Sequence, residues 1–151
     1  RLADGHENRT SSTISTQSTN NVPGHGRFIL APTSPYDWRT PSNNNLWQGI
    51  SGTNNPCPSG FRLPTETEFE IERASWSSND PAGAFTSPLK LVMAGYRQYA
   101  DGSLKGEAGI YWTTSTDGSF SRSLFLSSFS NSAGFSTPGR AYGLSIRCIK
   151  D

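Results

Sequence analysis

Few side chains in this sequence are placed for catalysis. His6 and His25, the only histidines, lie near the amino end and share no ligand spacing with Cys57 or Cys148, so a four-ligand zinc cluster is not expected. No constellation of Ser, Cys and His suggests an activated nucleophile. Glu66, Glu68, Glu70 and Glu72 invite a metal or acid–base reading, but their alternate spacing spreads them around a helix instead of gathering them. Near a helix start they suit the positive end of the dipole. The oxygens of Asp37 and Asn43-Asn44-Asn45 are of the type that holds a cation, yet the same residues are ordinary turn formers. The expectation is a protein with no catalytic centre, no cofactor and no metal. Cys57 and Cys148 leave two readings open. As one bond they would restrict the unfolded chain by roughly 4 kcal/mol and imply an oxidising compartment; otherwise they are two buried thiols.

The side chains suited to binding are more numerous and lie near the carboxyl end. Residues 113–139 are dominated by Ser, Thr, Gly and Phe. Ser, Gly and Asn offer adaptable hydrogen bonding, and Phe offers area at little side-chain entropy. A strand is expected over 122–129, with Leu124 and Leu126 on its core face. Ser123, Phe125, Ser127 and Phe129 then project to the other side. Together with Ser121, Ser130, Asn131, Phe135, Ser136, Thr137 and Pro138 they make up the expected ligand-binding face.

Several elements must hold that face in place. Thr65 and Glu68 read as a capping box after Pro64, opening a helix whose packed stripe is Phe69, Arg73 and Trp76 and which ends near Trp76. Further strands are expected over 27–31, 108–113 and 142–148, the last with Leu144, Ile146 and Cys148 inward. Residues 32–58 are rich in Pro, Gly and Asn but carry Tyr36, Trp38, Leu46, Trp47 and Ile50, which marks a packed loop. Residues 1–21 read as a flexible polar tail or linker, and 22–151 as the domain.

Composition narrows the class. The chain has 151 residues, of which 23 are Ser, 14 Thr and 10 Asn, and only 32% are hydrophobic. Such a mixture disfavours a helical bundle and favours turns and strands. Four Trp, five Tyr and eight Phe give enough apolar area to argue against disorder. No apolar run approaches the roughly 20 residues of a membrane span. A net charge of +1 gives no reason to expect nucleic acid or an acidic membrane surface. The start at Arg1, without Met or a signal peptide, suits a processed chain or an excised domain. The class is α+β with strands in the majority.

Four stretches carry a family resemblance. Tyr36-Asp37-Trp38-Arg39-Thr40-Pro41, Asn45-Leu46-Trp47-Gln48-Gly49 and the block from Asn54 through Cys57-Pro58-Ser59-Gly60-Phe61-Arg62-Leu63-Pro64-Thr65 resemble the Fibrobacter succinogenes major paralogous domain family. The ending Arg140-Ala141-Tyr142-Gly143-Leu144-Ser145-Ile146-Arg147-Cys148-Ile149-Lys150-Asp151 is similar to that family's closing strand. Over roughly residues 22–151 the resemblance implies a C-type lectin-like fold of the formylglycine-generating-enzyme-like branch, with mostly antiparallel strands, few helices and long packed loops. It places Cys57 and Cys148 as a structural pair. The neighbouring cysteines with which formylglycine-generating enzymes bind copper are absent. So are the Glu-Pro-Asn, Gln-Pro-Asp and Trp-Asn-Asp triplets of calcium-dependent lectins: Trp38 precedes Arg39, and Trp112 precedes Thr113.

Some relatives with this type of ending are variable proteins of diversity-generating retroelements, in which a reverse transcriptase rewrites adenines near the end of the coding segment. Residues 113–139 contain no Lys, Glu, Gln, Met or Trp, although those types supply 17 of the other 124 residues. An AAC or AAT codon randomised at its adenines cannot reach those five types. The resemblance therefore implies a ligand-binding surface-display module, extracellular on a bacterial cell or phage virion. It would belong to a larger surface protein or assembly and meet a protein or glycan partner, without nucleic acid or membrane insertion. The alternatives are a structural domain of a pilus, fibre or adhesin and, less favoured, an enzyme of the formylglycine-generating type.

Overall fold

The longest strand, β6 (Ala108–Asp117), pairs antiparallel with β7 (Phe120–Ser127), which pairs antiparallel with β8 (Ser132–Ser136). The computed structural model describes residues 12–151. Ahead of the sheet come β1 (Thr13–Ile14), β2 (Phe28–Ile29), β3 (Phe61–Arg62), α1 (Glu66–Ala74), α2 (Pro81–Thr86), β4 (Tyr96–Arg97) and β5 (Leu104–Lys105); β9 (Ile149–Lys150) closes the chain. The pairs β3–β9 and β4–β5 are antiparallel, and β1–β2 is parallel. The protein is thus a mostly-β α+β fold of small sheets with two helices among the described residues. No described helix is long and apolar enough to cross a membrane.

Two apolar layers cover the three-stranded sheet. On one face Tyr111, Leu124, Leu126 and Ala133 pack with Phe69 of α1, Ala84 of α2 and Leu91. Leu124 and Leu126 are 0% exposed, so the alternation expected on that strand holds. On the other face Trp112 and Ile110 pack with Leu63, Leu144 and Tyr142 around the Cys57–Cys148 disulfide. Of the two readings of the cysteines, the bond is the one present.

A bulge in β6 docks the first helix. Trp112 faces Ser123 but Thr116 faces Ser121, so residues 113–115 loop out of register. Thr113 Oγ1 donates to the Arg122 carbonyl (2.9 Å), and the Thr114 N–H donates to the Pro64 carbonyl (2.9 Å). The Glu66 N–H, one of the free donors at the start of α1, donates to Ser115 Oγ (3.0 Å). The Thr65–Glu68 capping box forms as expected. Arg62 grips both Glu68 oxygens (2.7 and 2.8 Å) and Asp151 (2.6 Å), tying the helix start to the chain end. The four glutamates disperse as expected: Glu66 meets Arg122, Glu68 meets Arg62, Glu70 meets Arg73, and Glu72 accepts from the Trp76 indole.

Several expectations are corrected. The flexible tail over 1–21 falls partly outside the described residues; from Ser12 on, β1 pairs with β2, and Ser18 exchanges backbone bonds with Trp38 and Thr40. Backbone pairing holds this segment where apolar side chains are scarce. The first helix stops at Ala74, and α2 follows, capped by Asp80 with Pro81 in its first turn. The strand placed at 122–129 runs over 120–127, which leaves Phe129 in the turn to β8. Residues 142–148 hold only isolated bridges, Arg97 with Gly143 and Tyr111 with Ser145. Leu144 is buried and Cys148 half-buried, but Ile146 is exposed, because the backbone there lacks a strand's regular alternation. The outer edge of β8 is met by Asn79, whose carbonyl accepts the Ala133 N–H while its Nδ2 donates to the Ala133 carbonyl (both 3.1 Å).

Two measurements follow from these ties. Intact mass without reductant will show one disulfide, and its reduction will lower unfolding stability by about 4 kcal/mol, because 91 residues separate the cysteines. Hydrogen bonding from Arg62, joined by the Thr65 backbone, holds the Glu68 carboxyl at about 2 against an ordinary 4.5. The stability this carboxylate supplies is complete above pH 4.5 and is lost as pH falls toward 2. Glu68→Gln will flatten the melting-temperature profile within that window.

Candidate binding site

The eleven residues expected to form one face are divided by the hairpin that carries them. Ser121, Ser136, Thr137 and Pro138 lie where β7 begins and β8 ends. Phe129, Ser130 and Asn131 lie at the opposite end, in the β7–β8 turn. Six strand residues at about 3.4 Å each put the two groups about 20 Å apart. Between them, Phe125 is half-buried with its ring over Gly134, where a Cβ would meet Phe125 Cε1 at 3.0 Å. Ser127 is half-buried, and its Oγ accepts from the Ser130 N–H (3.2 Å).

One expected site residue is fully buried instead, and a second is half-buried against the core. Ser123 is 0% exposed, with its Oγ 2.9 Å from Ser136 Oγ, because this face of the sheet is covered too. Phe135 packs with the helical layer opposite Leu124. The turn is the most exposed part of the group. Phe129 is 101% exposed and Asn131 holds φ 45°, a left-handed conformation that Asn tolerates better than most residues. The turn is nevertheless ordered by bonds from Ser128 Oγ to the Glu107 carbonyl (3.0 Å) and between Ser130 and Ser132 (2.7 Å).

At the other end Ser136, Thr137 and Pro138 form one wall of a cleft of about 240 Å³, faced by Tyr96, Ile110, Tyr142 and Leu144. The tyrosines belong to a larger cluster. Ring centres are 6.0 Å apart for Tyr96 and Tyr142, 4.7 Å for Tyr99 and Tyr142, and 4.8 Å for Tyr36 and Tyr99. Burial raises the Tyr142 phenol above its ordinary range, and neighbouring Tyr99, Tyr96 and Tyr36 push the same way. Among the described residues none of these four hydroxyls has a hydrogen-bond partner. The cleft offers aromatic area and free hydroxyls without a charged side chain, which suits binding by area and adaptable polar contacts.

The tyrosine cluster escapes a reading of the sequence because its members come from three separated segments. Arg122 was also unassigned. It meets Glu66 (2.7 Å) and donates to Thr137 Oγ1, so it anchors the cleft's outer wall to α1. Burial of Arg140 against Asp37, at 3.7 Å, fastens the chain just after that wall. Compared with protein-family models, curated proteins and solved structures, the chain matches none.

Stability and surface chemistry separate cleanly along β7 and its turn. Leu124→Ala will cost about 2–5 kcal/mol in chemical denaturation, as a fully buried truncation. Phe129→Ser will change stability by less than about 0.5 kcal/mol, since the ring gives up no buried area. A large loss at Phe129 would mean that the turn packs against something else.

Proposed function

We propose that this chain is a C-type lectin-like ligand-binding module of the kind found in variable proteins of diversity-generating retroelements. On this reading it belongs to the Fibrobacter succinogenes major paralogous domain family. It is displayed outside the cell, on a bacterial surface or virion, as part of a larger protein. Its partner is a protein or glycan, met by side chains from residues 113–139, and it performs no catalysis.

One observation carries the reading. The compositionally distinct segment supplies the Ser136–Pro138 wall of the tyrosine cleft and the exposed turn at Phe129, while Leu124 and Leu126 within it serve the core. Substitution can thus change the surface without touching the support. The Cys57–Cys148 bond is consistent with an oxidising location.

The test is genetic. Sequencing around the coding region is expected to reveal a reverse-transcriptase gene and a second copy of the terminal coding segment, differing at adenines. Population sequencing is expected to confine replacements to codons within 113–139. A single invariant copy with no such neighbour overturns the reading.

A further inference from the structure

The rings of the tyrosine cleft continue beyond it as a row. Their centres follow one another in the order Tyr96, Tyr142, Tyr99, Tyr36 and Phe120, at 6.0, 4.7, 4.8 and 6.5 Å. Neighbouring rings are inclined to each other by 51° to 65°, which leaves notches between them instead of one flat platform. All five are half-buried, so each is packed on one side and offers area on the other. Several segments hold the row in place. The Tyr36 carbonyl accepts the Ala141 N–H (2.8 Å), and the Tyr99 carbonyl accepts the Ala31 N–H (3.0 Å). Gly139 lies so close that a Cβ there would meet Tyr36 Cβ at 2.3 Å.

Hydrogen bonding sets the phenols apart from the other hydroxyls of the cleft. Ser136 Oγ pairs with Ser123 Oγ (2.9 Å), and Thr137 Oγ1 accepts from Arg122. Tyr111, outside the row, commits its hydroxyl to the Val92 backbone. The phenol oxygens of Tyr36, Tyr96, Tyr99 and Tyr142 bond no described residue, and none of them is buried without a partner, so all four stay open to solvent. The cleft is lined by no charged side chain and no side-chain amide. Its free side-chain hydrogen-bonding groups are therefore phenols, which remain protonated and able to donate at neutral pH.

We infer that this row binds a proline-rich peptide segment in the polyproline II conformation. The inference rests on the reading of the cleft as a ligand site and names its partner as a protein, not a glycan. A polyproline II segment makes no internal hydrogen bonds, so its carbonyls need donors from outside, and each proline lacks an N–H of its own. Such a ligand is uncharged and rich in acceptors, which matches a cleft whose free groups are neutral phenol donors. Pyrrolidine rings are compact enough to enter notches between tilted aromatic rings. One turn of the segment advances about 9 Å, comparable to two of the shorter ring intervals. Because the conformation exists before binding, little ordering entropy opposes docking on an aromatic groove. A neutral sugar differs, since its hydroxyls donate and accept together and call for the carboxylate and amide side chains that this lining lacks.

The tyrosine rings themselves report on the test. Protein carrying carbon-13 in its tyrosine rings is titrated, by nuclear magnetic resonance, with decaproline blocked at both ends. Saturable shifts are expected at Tyr96, Tyr99 and Tyr142. A blocked Gly-Ser decapeptide is expected to bind at least about tenfold more weakly, and maltose and cellobiose to give no saturable shift. Tyr142→Phe keeps the ring and removes a hydroxyl that bonds nothing within the protein. It is expected to weaken decaproline binding about three- to tenfold, with Tyr99 still reporting. Tyr96→Phe combined with Tyr142→Phe is expected to weaken it by more than about tenfold, and the single variant decides where the double one does not fold. No saturable shift with decaproline, an equal response to the Gly-Ser peptide, undiminished binding in the Phe variants, or saturable binding of a sugar overturns the inference. Each of these failures concerns the partner alone, because the retroelement reading is decided by the neighbouring genes.

Discussion

Ile110, Tyr111 and Trp112 are consecutive on β6 and point to alternate faces, so the central strand requires apolar cover from two sides at once. A chain that is only 32% hydrophobic meets that demand by dividing the labour. The helices and Leu91 cover one face. The disulfide, Leu63, Leu144 and the aromatic loop residues cover the other. Because β6 also bonds the chain's last segment through Ser145, the carboxyl end is part of the sheet's support (3.0 Å from the Trp112 N–H to the Ser145 carbonyl). The long loops can lack regular structure because their ends are pinned to this double layer.

Polar groups complete what apolar area cannot. Asp37 accepts from the Arg39 N–H through Oδ1 (3.0 Å), and its own carbonyl accepts from Gln17 Nε2 (2.6 Å). Asn55 bridges the Ile50 and Phe61 carbonyls (3.0 and 2.9 Å), and Gln48 Nε2 reaches the Thr114 carbonyl (2.8 Å). These side chains bond backbone groups that no ladder serves, which lets irregular segments lie against the core. The abundance of Asn, Ser and Thr is thus an architectural feature as well as a surface one.

What could be read from the residues alone was what depends on near neighbours. The capping box needs only Thr65 and Glu68, and the burial of Leu124 and Leu126 follows from a two-residue period. The start of α2 was locally encoded as well, in Asp80 before Pro81. Its brevity and its central Gly83 obscured it; a Cβ there would meet the Ser78 carbonyl oxygen at 1.9 Å, so glycine is required by packing. Ser123 could not be placed by alternation, because alternation identifies a solvent face only where one exists. The tyrosine cleft depends on contacts between residues tens of positions apart.

Asn79 has a consequence beyond the edge of β8. An open strand edge is a template on which another chain can add its own backbone, the first step toward filamentous aggregates. At Ala133 both backbone groups are already engaged by Asn79, which Arg73 in turn steadies through a bond to Asn79 Oδ1 (2.6 Å). A strand arriving edge-on finds its hydrogen bonds interrupted at Ala133, one residue into β8. The hairpin can therefore carry apolar and β-prone side chains, Phe129 among them, with little tendency to polymerise through its backbone.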